Sequence, residues 1–340
     1  MKVSVIITTY NAVEWLQKVL IGYSVQTECD FEIVIADDGS TSETKDLISQ
    51  FSSKFKNPII HVWHEDHGFQ RTKILNKAIL KSNSDYLIFT DGDCIPRKDF
   101  VEMHLRHSEI GYFLSGGYFK LPLSISKLIS ENDIINSNCF QLYWLKNNGF
   151  KLNFKSIKLT NNLYIAQFMN WITPTKRSWN GHNSSGWKND ILAVNGFNNE
   201  MQYGGEDREM GERMFNNGML SKQIRYSAIC VHLDHSRGYS SPEIWKKNNG
   251  PAYCFFNNDI KNYDFGCLYN LYTVIDKRNI CPKGWHVASN DEWNEGKGNS
   301  TSFNLKDKLF NNKILGWRRI QDDVDYYVEG QLNRDPNYNS

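Results

Sequence analysis

Four short runs in this chain carry side chains able to do chemistry. Asp37-Asp38-Gly39-Ser40 and Asp91-Gly92-Asp93 each follow an apolar stretch, which places both acidic pairs at strand ends. Two carboxylates one residue apart can hold a hard divalent cation and leave positions open for phosphate oxygens. The same Asp-Gly-Asp composition also suits a plain turn. Gly204-Gly205-Glu206-Asp207 opens a helical pattern. Its glycines let a ligand approach the backbone, and its two acids sit at the positive end of the helix, which favours their ionised form. In Val231-His232-Leu233-Asp234-His235 a histidine follows the apolar run Ile229-Cys230-Val231. A lone histidine there is usually structural, whereas beside a carboxylate pair it is a candidate metal ligand. Three other chemistries are not supported. A calcium loop counted from Asp91 would need glycine where Pro96 stands, the first strand is not followed by G-x-G-x-x-G, and there is no G-x-x-x-x-G-K-[ST].

These runs need a frame, and the first hundred residues alternate strand and helix signals. Val3 to Thr8 is apolar and β-branched, as in a strand buried on both faces. Asn11 is positioned to cap a helix with Val13, Leu16, Val19 and Leu20 inward. Strands are expected over 31–36, 59–63 and 86–89, with helices over 42–55 and 72–82 between them. Such alternation implies a parallel sheet with right-handed crossovers, and ligands gather at the carboxyl ends of its strands. Residues 101 to 180 read as helices and loops, 183–196 as strand and turn, 206–216 as a helix and 227–233 as a strand.

The chain has 340 residues, which suggests about two domains. Hydrophobic residues make up 40% and charged residues 23%, so it is not a disordered chain. With 39 Lys+Arg against 38 Asp+Glu there is no basic footprint for nucleic acid. Aromatics reach 14%; their flat faces suit sugars and bases, although most belong in a core. No apolar run approaches the roughly 18 residues of a membrane span, and Met1-Lys2 leads straight into a strand rather than an export signal. The seven cysteines contain no C-x-x-C pair and fit a reducing, cytoplasmic setting.

Taken in order, Val3-Ser4-Val5-Ile6-Ile7-Thr8-Thr9-Tyr10-Asn11, Asp37-Asp38-Gly39-Ser40 and Asp91-Gly92-Asp93-Cys94-Ile95-Pro96 resemble a family 2 glycosyltransferase of the GT-A fold. Asn195-Gly196-Phe197, Gly204-Gly205-Glu206-Asp207, Arg208 and the Val231-His232 strand end resemble the galactosyltransferase-type C-terminal region. That region is found in β-1,4-galactosyltransferases and bacterial chondroitin-type polymerases. The resemblance implies an α/β chain with a mixed, mainly parallel sheet flanked by helices and a small α+β C-terminal appendage. Thr8 and Tyr10 would line the base pocket, Asp38 would accept from a uracil-type base, and Asp37 would shape that pocket. Arg71, in Gly68-Phe69-Gln70-Arg71, would lie near the nucleotide. Asp91 would contact the ribose or the metal, Asp93 would ligate Mn2+ or Mg2+, and His232 would be a further ligand with His235 a secondary one. Asp207 would be the catalytic base, and Gly205 and Glu206 would contact the acceptor. Tyr203 stands where the galactosyltransferases have Trp, so this substrate-contacting position departs from the pattern.

Further along, Gly266-Cys267-Leu268-Tyr269, Ile280-Cys281-Pro282-Lys283-Gly284-Trp285 and Asp291-Glu292-Trp293 resemble the first part of the Fibrobacter succinogenes major paralogous domain, a lectin-like module. The expected organisation is a glycosyltransferase domain over 1–260 and a partial lectin-like module over 265–340. Within the first, 1–120 is the nucleotide-sugar half and 180–240 the acceptor half. The expected activity is metal-dependent, inverting transfer of galactose or N-acetylgalactosamine from a UDP-sugar to a saccharide or lipid-linked saccharide, in surface polysaccharide or lipopolysaccharide synthesis. Peripheral contact with the inner face of the cytoplasmic membrane is a further expectation. Two alternatives stand beside it. A nucleotidyltransferase would want a basic, glycine-rich phosphate loop near the N-terminus, and a non-catalytic carbohydrate-binding protein leaves the acidic and histidine runs without a purpose.

Overall fold

The computed structural model describes residues 3–175, 178–201 and 204–235, together with the backbone of 253–255 and 267–269. The chain forms two compact units. The first takes in Met1–Asn199 and Asp207–Ser236, and the second Glu200–Glu206 and Arg237–Ser340.

The first unit alternates β1 (Val3–Thr9), α1 (Val13–Ser24), β2 (Phe31–Asp37), α2 (Ser42–Lys54), β3 (Ile59–Trp63), α3 (Arg71–Lys81) and β4 (Tyr86–Asp91). Strands β1 to β4 pair in parallel in the order β3-β2-β1-β4. β1 and β2 are apolar on both faces because both faces are covered. Val5, Ile7, Ile33 and Ile35 pack with Leu16, Val19 and Leu20 of α1 on one side. Ile6, Val34 and Ala36 pack with Ile74, Leu75 and Ala78 of α3 on the other. Asn11 does not cap α1. The N-cap is Ala12 without a side-chain bond, Asn11 has a positive φ of 46°, and its amide oxygen accepts from Thr41 N at 3.0 Å. Asn tolerates this left-handed conformation better than most residues, and here it ties the β1 loop to the start of α2.

After β4 come β5 (Cys94–Pro96), α4 (Phe100–His107), β6 (Tyr112–Ser115), β7 (Gly117–Lys120), the short helices α5 (Leu123–Leu128), α6 (Glu131–Ile135) and α7 (Leu142–Asn147), and α8 (Leu163–Ile172). β6 and β7 are strands in a stretch that the sequence reads as helix and loop. Each has four residues, too few to set a periodicity. β8 (Asn183–Trp187), α9 (Lys188–Ala193), α10 (Glu206–Asn216), β9 (Leu220–Gln223) and β10 (Ile229–His232) complete this part. β8 is antiparallel to β4 and extends the main sheet through β6 and β9. β10 leaves that sheet and joins β5 and β7 in a second one. The architecture is therefore α/β with a mixed, mainly parallel sheet between helices, as the resemblance implies. In the second unit, β11 (Tyr253–Phe255) and β12 (Cys267–Tyr269) pair antiparallel. Among the described residues no helix is long and apolar enough to cross a membrane, and Cys29, Cys94, Cys139 and Cys230 are free thiols.

A buried polar knot joins the two sheets. The Asn183 amide, fully buried, donates to Gly117 O at 2.7 Å and Ala228 O at 3.1 Å, while its oxygen meets His104 Nε2 at 2.9 Å. The other ring nitrogen of His104 meets the Ser185 hydroxyl, which also meets Tyr86. Burial pushes His104 down to about 3, so its ring stays neutral. Asn183→Ala would leave two carbonyls and an imidazole nitrogen unmatched. It is expected to cost about 2–3 kcal/mol of unfolding free energy in urea titration. The buried His104 also predicts the sign of acid sensitivity. Below its ordinary value near 6.5 the unfolded chain takes up a proton that the folded chain refuses. Stability should fall as pH drops from about 6.5 toward about 3, and a His104→Gln variant should show a flatter pH dependence of Tm.

Candidate active site

The parallel register aligns the carboxyl ends of the first strands, with Thr8 opposite Asp91, Thr9 opposite Asp37, and Asp37 opposite Trp63. At this edge Asp91 accepts through one oxygen from Thr8 Oγ1 at 2.8 Å and from Arg71 Nη2 at 2.6 Å. Burial acts to raise the Asp91 carboxyl, but the Arg71 guanidinium, then His182, the Thr8 hydroxyl and His232 outweigh it and hold the group at about 2. Asp91 is therefore a fixed negative charge. Arg71, the first residue of α3, is placed there by the helix start.

Asp37 and Asp38 have separate tasks. Asp37 is fully buried. One oxygen accepts from Ser40 N at 2.9 Å and shapes the turn, and the other meets His61 Nε2 at 2.8 Å. Asp38 meets His64 Nε2 at 2.7 Å and accepts from Gln70 N at 3.0 Å, just ahead of α3. Lys77 donates to the other nitrogen of His64, which fixes the tautomer with the proton facing Asp38. Burial raises the Asp38 carboxyl, opposed by His64 and the Gln70 amide. Tyr10 stands at the rim, 52% exposed, with its hydroxyl on Asp66 Oδ2 at 2.8 Å.

The second cluster forms where β10 pairs antiparallel with β5, with His232 opposite Cys94. Leu233 N donates to Asp93 O at 2.9 Å and locks the loops together. His232 Nε2 lies 3.7 Å and His235 Nε2 2.8 Å from Asp93 Oδ2, and the two imidazoles stack at 6.1 Å. Asp93, Cys94 and His232 offer ligand atoms within 4.8 Å of one another. His232 Nδ1 is buried with no hydrogen-bond partner. The other ring nitrogen, Nε2, is the one that faces the Asp93 carboxylate, and a carboxylate with an imidazole so placed fits a divalent cation. Burial, then the neighbouring Cys230, pushes the Cys94 thiol up. Oxygen from Asp93 and imidazole from His232, with the Cys94 thiol beside them, suit a borderline divalent ion.

Asp207 belongs to α10 and joins the first cluster through the backbone. Its Oδ2 accepts from Gly181 N at 2.8 Å and its Oδ1 from Arg208 N at 2.8 Å. The 178–182 segment is anchored by Trp179, fully buried against Phe89 and Phe113. Trp179 lies so close to α10 that a Cβ on Gly211 would fall 2.7 Å from its own Cβ. Gly181 is equally constrained, since a Cβ there would fall 2.6 Å from Arg71 Nη2. Asp91, Arg71, Gly181 and Asp207 therefore form one contiguous line. Glu206 is buried and Gly205 has a φ of +86°; Tyr203 lies outside the described residues.

Besides His61 on Asp37 and Gly181 on Asp207, four further residues take part without having been marked in the sequence. His64 and Asp66 hold Asp38 and Tyr10, and both follow β3, where a third strand end was to be expected. Tyr118 presents its ring to His182 at 4.5 Å and to His232 at 5.7 Å. His182 precedes β8, and burial brings it down to about 4 although Asp91 acts to raise it. No local pattern marks these last two.

Comparison with known proteins gives this arrangement its class. Residues 4–118 match the family described as Glycosyl transferase family 2. Residues 167–236 match the N-terminal domain of galactosyltransferase, and residues 219–302 match the Fibrobacter succinogenes major domain. That last span starts one residue ahead of β9 and so takes in β9 and β10 of the first unit. An uncharacterized glycosyltransferase of Bacillus subtilis, YfnE, is 26% identical over 305 residues, covering 79% of this chain and 74% of the relative. Chondroitin synthase of Escherichia coli is 25% identical over 245 residues, 68% of this chain and 34% of the relative. Glycosyltransferase AglE of Haloferax volcanii is 36% identical over 102 residues, 29% of this chain and 33% of the relative. The chain thus spans most of the Bacillus relative but only about a third of the other two. Among solved structures, the mannosyltransferase PcManGT from Pyrobaculum calidifontis, in complex with GDP-Man and Mn2+, aligns with a TM-score of 0.47 at 16% identity. The alignment covers 72% of this chain and 59% of that one.

The chain is an enzyme of the glycosyltransferase class. Its residues 4–118 are similar to Glycosyl transferase family 2 and its residues 167–236 to a galactosyltransferase domain.

The close approach at Gly181 is open to test. In Gly181→Ala the Arg71 guanidinium must move off Asp91, while the fold tolerates the shift of a flexible side-chain tip. Tm should stay within a few degrees, and turnover should fall on the order of 10²-fold, the scale of a misplacement near 1 Å.

Proposed function

We propose that this enzyme transfers a sugar, galactose or N-acetylgalactosamine, from a UDP-sugar to a hydroxyl of a saccharide acceptor, with inversion and with a divalent cation. The observation that carries the reading is the convergence of Asp91, Arg71 and Asp207 on one line through Gly181, beside the Asp93–His232 pair. The roles of Thr8, Tyr10, Asp37 and Asp38 toward a uracil-type base are those the family resemblance implies, and their place at the carboxyl ends of β1 and β2, where open sheets take nucleotides, supports them.

Asp93 and His232 would hold Mn2+ or Mg2+, with His235 as the imidazole that otherwise pairs with Asp93. When bound, the cation supplies positive charge against the leaving diphosphate. Arg71 holds Asp91 ionised and in place. Asp207, oriented by two backbone amides, takes the proton of the acceptor hydroxyl. That oxygen then bonds to the anomeric carbon from the face opposite the nucleotide, and the bond to the diphosphate oxygen breaks with its electron pair. A single displacement inverts the configuration. Glu206 and Gly205 are assigned to the acceptor side. That acceptor is a saccharide, free or lipid-linked, of a surface polysaccharide or lipopolysaccharide. Residues 1–260 are assigned to this activity and 265–340 to an appended module.

Incubation with UDP-galactose or UDP-N-acetylgalactosamine and Mn2+ should give sugar transfer or slow UDP release. Pyrophosphate release would overturn the reading in favour of nucleotidyl transfer. Asp207→Asn should keep nucleotide binding and lose about 10²-fold to 10⁴-fold in turnover; transfer within about tenfold of wild type removes Asp207 as the base. Because ligand binding raises the stability of the folded state, Mn2+ with UDP should raise Tm. Asp93→Asn and His232→Ala should each abolish the part of that rise that depends on the metal.

A further inference from the structure

We propose that the outer face of α8, with the 3-10 turn at Phe154–Leu159 before it, docks on an anionic lipid surface. In α8 the positions Tyr164, Phe168 and Trp171 follow helical spacing and are 83%, 57% and 80% exposed. Phe154 adds a fourth bare aromatic ring at 79%. The opposite side of the helix is satisfied, because Ala166 and Met169 pack on Tyr226 and Ile157. The outer face is therefore not a failed core but a second apolar surface. Exposed apolar patches of this kind mark interaction sites, and aromatic rings with polar edges suit the headgroup boundary of a bilayer.

Charge selects the occupant. From residue 134 to 189 the chain has seven Lys and Arg and no Asp or Glu, in a protein whose net charge is only +1. Lys146, Lys151 and Lys155 are exposed. A second copy docking through the same patch in two-fold fashion would bring like charges together, whereas acidic headgroups would neutralise them. The patch also adjoins the site. Lys158 lies over the Tyr118 ring at 5.4 Å, and that ring touches His182 and His232. Docking would thus bring the catalytic edge close to the headgroup plane. The proposal concerns where the enzyme works, and it stands on observations independent of the donor sugar.

The test is co-sedimentation of the full chain with vesicles of phosphatidylcholine alone and of equal parts phosphatidylcholine and phosphatidylglycerol. The wild type should bind the anionic vesicles, release them at about 0.5 M salt, and ignore the neutral ones. The triple variant Tyr164→Ser, Phe168→Ser, Trp171→Ser should lose at least about tenfold in binding with little change in Tm. A second variant, Lys146→Gln, Lys151→Gln, Lys155→Gln, should lose the salt-sensitive part and keep its fold. No binding by the wild type, unchanged binding by both variants, or a change of oligomeric state in the aromatic variant overturns the proposal. None of these outcomes bears on sugar transfer to a soluble acceptor, so the two readings fail separately.

Discussion

The antiparallel pairing of β10 with β5 is the constraint on which the rest of the site depends. Three residue pairs, Cys230 with Pro96, Val231 with Ile95 and His232 with Cys94, set the register. That register puts an imidazole from late in the chain beside the second carboxylate of Asp91-Gly92-Asp93. A slip of one residue would turn His232 to the opposite face of the strand. The pairing is held by burial, since Cys94, Ile95, Cys230 and Val231 are all fully buried, and by the Leu233 amide on the Asp93 carbonyl. β7 flanks β10 on its other side and carries Tyr118 toward both histidines.

Electrostatics explains how so many acids share one edge without unfolding it. Each carboxylate has its own donor. Asp91 has Arg71 and Thr8, Asp37 has His61 and a backbone amide, Asp38 has His64 and the amide ahead of α3, and Asp207 has two amides. Asp93 has two imidazoles and the Cys94 thiol as neighbours, with no guanidinium or backbone amide among its side-chain contacts within the described residues. The imidazoles can give way to a cation, because a neutral ring nitrogen is itself a ligand. The edge is therefore held by fixed donors everywhere except at Asp93.

The Asn183 knot and the Trp179 anchor give the same edge its stiffness. Trp179 lies just ahead of β8 and Asn183 is its first residue, and β8 runs against the direction of β4. That reversal lets 178–182 pass across the strand ends and reach Asp207, a path that a further parallel strand would not take. The knot is costly to bury and pays by fixing one arrangement of the two sheets.

Much of the frame was legible in the residues. Largely apolar, β-branched runs alternating with amphipathic segments mark β1, β2 and β4 and their helices, since burial on both faces favours apolar residues at most strand positions; β3, at the sheet edge, is only half-buried. The acidic runs at strand ends and the start of α10 were equally readable. Short-range patterning could not supply β6 and β7, which are too brief to show a period, or the displacement of Asn11 from its capping role by a contact with α2. Nor could it pair Asp38 with His64, set His182 against Tyr118, or lay Gly181 on Arg71. Those contacts join residues far apart in the chain, and only the packed sheets and their register bring them within hydrogen-bond reach. The sequence by itself determined which side chains could do the chemistry; the tertiary structure decided which of them meet, because convergence is a property of strand order and direction rather than of local composition.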